Sequence, residues 1–103
     1  MFEIDFGNEG EVIVAGRLDA AQAERAQRFL DQMPTPRVLD MRRLEYISSA
    51  GLGVLLKTQK RLMASGGGLK LINVNHHISE VLRYSGFDKL FEVVAAEDRR
   101  PGH

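Results

Sequence analysis

The stretch Tyr46-Ile47-Ser48-Ser49-Ala50-Gly51-Leu52-Gly53 decides the architecture. An apolar strand end runs into two adjacent serines. Beyond them Leu52, Leu55, Leu56, Leu62 and Met63 recur at helical spacing. Backbone N–H groups at a helix start lack intrahelical partners, and the helix dipole points its positive end there. A serine at such a junction caps the helix or carries a phosphate in a favourable field. The first role is structural and the second regulatory.

Upstream, Phe2, Ile4 and Phe6 alternate with Glu3 and Asp5, the pattern of a strand with one wet face. Gly7-Asn8-Glu9-Gly10 reads as a hairpin turn, and Val12-Ile13-Val14-Ala15 as a more central strand that Gly16 breaks. Asp19 is placed to cap a helix whose apolar face is Ala20, Ala23, Ala26, Leu30 and Met33, ending at Pro34. After the connector Pro34-Thr35-Pro36 comes a short strand, Val38-Leu39-Asp40-Met41. Asp40 is the first acidic residue near the serine pair and is read at that strand's end.

Downstream, Ser65-Gly66-Gly67-Gly68 ends the serine-led helix, and Leu69-Lys70-Leu71-Ile72 is another strand. Ile78, Val81 and Leu82 mark a third helix closed at Gly86. Leu90 to Val94 is a final edge strand or apolar latch. The alternation implies parallel pairing through right-handed crossovers, with one antiparallel pair from the opening hairpin. The expected class is α/β: a mixed sheet of four to five strands with helices mainly on one face. One domain over residues 1–95 and a polar, disordered tail over 96–103 follow from the composition.

The chain has 103 residues and zero formal net charge, so no global field draws it to nucleic acid or anionic lipid. It has no cysteine, which removes disulfides, thiol catalysis and thiolate metal sites. His76 and His77 are adjacent and point in different directions, so no metal site is expected. No apolar run approaches the ~20 residues of a membrane helix. Met1 to Asp5 lacks the basic start and apolar middle of a signal peptide. A cytoplasmic domain without a cofactor is the expectation, as a monomer or weak dimer. A serine hydrolase is disfavoured: Ser48-Ser49-Ala50-Gly51 lacks the glycine that precedes a nucleophile in a strand-to-helix elbow.

Leu39 to Leu55 closely resembles the signature of the STAS family, whose bacterial members include anti-sigma factor antagonists. The resemblance extends to Gly16-Arg17-Leu18-Asp19-Ala20, to Leu69 to Val74, and to Val81 to Phe91, and so covers nearly the whole chain. It implies the STAS fold and a binding module, not an enzyme. In that family the antagonist binds an anti-sigma factor that is also a serine kinase. Phosphorylation of a serine at the start of the second helix separates the two, and a serine phosphatase restores the binding form.

Laid on this chain, the resemblance makes Ser49 the phosphoacceptor and puts Ser48 in the preceding Asp-or-Ser position, as a secondary candidate. Asp19, Asp40, Ser48, Ser49, Ala50, Gly51 and Gly53 form the implied partner surface. Asp19 is also read as a helix cap, and Gly51 and Gly53 as residues that let helix and strand pack closely. The alternative function is a STAS scaffold subunit of a transport or stress-sensing complex without a sigma-factor role.

Overall fold

The computed structural model describes residues 1–33 and 38–96. The elements are β1 (Phe2–Phe6), β2 (Val12–Leu18), α1 (Ala20–Asp31), β3 (Val38–Ile47), α2 (Ser49–Ala64), β4 (Lys70–Val74), α3 (His76–Ser85) and β5 (Glu92–Ala95), with a 3-10 turn at Phe87–Lys89. The five strands lie in sequence order across one sheet. β1 is antiparallel to β2, and every later neighbour is parallel. Right-handed crossovers that always step the same way place their helices on the same face.

The burial pattern shows which face that is. Phe2, Ile4, Val12, Val14, Leu39, Met41 and Leu71 are buried, whereas Glu3 and Asp5 are exposed and Ile13, Asp40 and Ile72 only half-buried. Ala26 and Leu30 of α1, Leu55 and Leu62 of α2, and Ile78 and Leu82 of α3 share one apolar cluster with the first set. Each fully buried aliphatic side chain contributes about 1.5–3 kcal/mol. The expected mixed sheet of four to five strands, with helices mainly on one face, is the fold observed.

Several local readings need correction. β3 is not a short strand ending at Met41; it continues to Ile47. Its register against β2 slips twice, between Ile13 and Ala15 and between Gly16 and Arg17, and each slip inserts one extra β3 residue. These bulges scramble the two-residue alternation, so the strand pattern is lost after Met41 although Arg42 and Arg43 lie in β3. Gly16 does not break β2, which runs on to Leu18. Its φ of +86° and the Met1 carbonyl oxygen, lying where a Cβ would go, make glycine necessary there. Met63 does not join the core stripe and is 59% exposed, because its neighbour Leu62 already faces inward.

α3 begins at a cap that the apolar pattern did not reveal. Asn75 Oδ1 accepts the Ile78 N–H at 2.9 Å, and its Nδ2 donates to Leu44 O at 2.9 Å, tying the helix start to β3. Gly86 closes α3 in the left-handed conformation, as expected. The final segment is an edge strand paired to β4, and Ala96, assigned above to the tail, still donates its N–H to Val74 O at 2.9 Å. The Pro34-Thr35-Pro36 connector and the rest of the tail, residues 97–103, lie outside the described residues.

Candidate functional site

β2 and β3 run parallel, so both deliver their chains to the same edge of the sheet, where α1 and α2 begin. The two helix starts are joined directly: Ser48 N–H donates to Leu18 O at 2.9 Å. Asp19 caps α1, its Oδ1 accepting the Gln22 N–H at 3.2 Å. Ser48 caps α2, its Oγ accepting the Gly51 N–H at 3.2 Å.

The serine pair therefore divides its work. Ser48 is half-buried and its hydroxyl holds the helix start. Ser49 is the first residue of α2, exposed, and its hydroxyl enters no hydrogen bond among the described residues. No acidic side chain occupies the first turn of α2, so the positive end of its dipole is uncompensated. A negative charge on Ser49 would sit in a favourable field. Serine and aspartate are both good N-caps, so the cap fits the Asp-or-Ser position that the resemblance gives Ser48. Ser48→Ala is expected to cost about 1 kcal/mol of unfolding free energy in urea titration. Ser49→Ala is expected to leave stability nearly unchanged.

The remaining expected site residues separate into three groups. Ala50 is exposed and Gly53 partly so, with open space where its Cβ would lie. Together with Ala23, Gln27 and Lys57 they line a shallow groove of about 300 Å³ between α1 and α2. Gly51 is instead buried: a Cβ there would lie 2.8 Å from Leu18 O and 2.8 Å from Ile47 Cγ1. It brings the start of α2 tightly onto the strand ends and offers no surface. Gly53 does not share that packing role.

Asp40 is not at the site. It lies near the start of β3, paired with Ile13 and Ile72. The rest of that strand carries it on the order of 20 Å from the serine pair. Its carboxylate accepts the Arg42 N–H at 3.0 Å. A strand ending at Met41 would let Asp40 approach the serine pair; one that runs on to Ile47 does not. Two residues near the site were not foreseen. Arg17 is exposed at the end of β2, with its guanidinium carbon 4.3 Å from the centre of the Tyr46 ring. Lys57 lines the groove on α2. Arg17 was present in the Gly16-to-Ala20 block, but its stacking depends on strand register, which no local pattern encodes.

A family model described as "Mlab, STAS domain" matches residues 5–94. BtrV of Bordetella bronchiseptica is 39% identical over 79 residues, which cover 77% of this chain and 62% of BtrV. The anti-sigma-B factor antagonist of Bacillus subtilis is 26% identical over 95 residues, covering 88% of this chain and 86% of that protein. Among solved structures, the Bacillus cell fate determinant SpoIIAA in its phosphorylated form superposes with a TM-score of 0.63 at 20% identity, covering 90% of each chain.

Proposed function

The chain belongs to the STAS domain family and is related to its anti-sigma factor antagonists, and on that premise we propose that it binds an anti-sigma factor with serine kinase activity and is released when Ser49 is phosphorylated. A serine phosphatase returns it to the binding form. In this reading the chain is a kinase substrate and not itself an enzyme. It works without a cofactor.

One observation carries the reading: Ser49 is an exposed hydroxyl at an uncompensated helix start, while Ser48 beside it is committed to capping. The relationship to proteins named for antagonising anti-sigma factors, and a neighbour solved in a phosphorylated form, support it. Phosphate adds about −1.5 to −2 charge near pH 7. The helix start stabilises that charge, so the fold persists and the effect falls on the partner interface. Burying that charge against a partner surface that had packed on a neutral hydroxyl costs several kcal/mol. Even ~3 kcal/mol weakens binding by roughly a hundredfold. The contact surface is Asp19, Ser48, Ser49, Ala50 and Gly53, with the small side chains of Ala50 and Gly53 admitting a close approach.

The test is intact-mass and site mapping on protein isolated from its native cells, alongside a Ser49→Ala variant, with bound proteins identified. A single phosphate on Ser49 and an ATP-binding anti-sigma factor held only by the unmodified form are the expected results. A chain that is unmodified under all growth conditions and held in a transport or sensing complex would overturn the reading. Ser49 would then be only the first residue of a helix.

A further inference from the structure

The register of β2 against β3 changes just before the site. Gly16 faces Leu44, but the next pair is Arg17 with Tyr46, so Glu45 is the extra residue of a bulge. Without the bulge, Arg17 would lie beside Glu45 and be neutralised by it. With it, the guanidinium rests on an aromatic ring that holds a cation without quenching its charge. Arg25, Arg28, Arg42, Arg61 and Arg83 all donate hydrogen bonds to side-chain or backbone oxygens. Among the described residues the guanidinium groups of Arg17 and Arg43 donate none, and of these two only Arg17 lies on an aromatic ring. Bulges of this kind re-aim side chains next to functional sites.

We propose that Arg17 is the receptor for a phosphate on Ser49: when the phosphate is present, the guanidinium leaves Tyr46 and forms a charge-assisted, two-pronged contact with it. The physiological meaning of this pairing rests on Ser49 being the acceptor. The geometry allows it. Ser48 lies one inter-strand spacing and two strand steps from Arg17, about 8 Å between Cα atoms, and Ser49, the next residue, lies within about 12 Å. A long arginine side chain and a phosphoserine span that gap together. Arg17 starts on the face away from the helices, and the β2–β3 pairing ends one residue on, at Leu18 and Ile47, so its side chain reaches the helix start round the strand ends. Guanidinium–phosphate pairs are stronger than an exposed cation–ring contact. The acidic residues nearest Arg17 in the pairing and along the chain are Glu45, displaced by the bulge, and Asp19, whose Oδ1 accepts the Gln22 N–H. The switch then changes the surface twice, adding a phosphate and uncovering the Tyr46 ring.

The pairing is tested on the full chain with phosphoserine placed at position 49 during synthesis, with no partner protein present. Phosphorus NMR follows the second ionisation of the phosphate, and proton NMR follows the Tyr46 ring. A bound cation favours the dianion. The ionisation is therefore expected to lie lower with Arg17 than in Arg17→Gln, by roughly half a unit or more. Arg17→Lys should fall between them, and Arg43→Gln, further from the helix start, should match the parent. Tyr46 ring signals should shift on phosphorylation in the parent and not in Arg17→Gln. Equal ionisation in the parent and Arg17→Gln, with an unmoved Tyr46, would overturn the pairing. Because the phosphate is installed chemically, cellular phosphorylation at another residue would refute the Ser49 reading without touching this result.

Discussion

Gly51→Ala is expected to destabilise the fold by about 2–3 kcal/mol, although alanine is the better helix former by ~1 kcal/mol. The added Cβ would lie 2.8 Å from Leu18 O, 2.8 Å from Ile47 Cγ1 and 2.9 Å from Leu18 Cγ. Leu18 O cannot yield easily, because it accepts the Ser48 N–H at 2.9 Å. The start of α2 must move outward, which loosens the Ser48 cap and carries Ser49 with it. Gly53→Ala, two residues on, meets nothing within 4 Å and should stabilise the helix by up to ~1 kcal/mol. Urea unfolding of the two variants checks the opposite signs. A neutral Gly51→Ala would mean that the helix start is not packed as described.

Gln59→Leu is expected to cost about 2–4 kcal/mol, despite giving α2 a more apolar side chain at a buried position. Gln59 is 7% exposed and bridges two segments that no helix or strand secures. Its Oε1 accepts the Leu69 N–H at 2.7 Å, and its Nε2 donates to Leu90 O at 2.6 Å. Leucine fills the space but leaves both backbone groups without that partner. The loss should appear in the urea midpoint and as faster amide exchange at Leu69. A loss under 1 kcal/mol would show that water satisfies both groups.

The sequence disclosed what is local. The Gly7-to-Gly10 turn, the Asp19 cap, the serine-led start of α2 and the glycine close of α3 all depend on a few neighbouring residues, and all were readable. The sequence offered the serine pair as caps or acceptors without dividing the roles; the Ser48 cap and the exposed Ser49 hydroxyl emerge only from the folded backbone. What failed depends on strand pairing. The two bulges of β3 shortened it on paper, and the false strand end brought Asp40 to a site from which it is remote. The same pairing puts Arg17 on Tyr46. Gln59 looked like one more polar residue on a helix, because its partners at Leu69 and Leu90 are 10 and 31 residues away. Gly51 and Gly53 look equivalent in the sequence; only the packed strand ends distinguish them.

The central claim is that one hydroxyl controls association. Its most direct test is the affinity of a single purified anti-sigma factor for two forms of the chain, unmodified and phosphorylated at Ser49, by calorimetry at one salt concentration. The account predicts that phosphorylation weakens binding by roughly a hundredfold or more while the thermal midpoint of the isolated chain does not fall. Equal affinities for the two forms, with both chains folded, would contradict it.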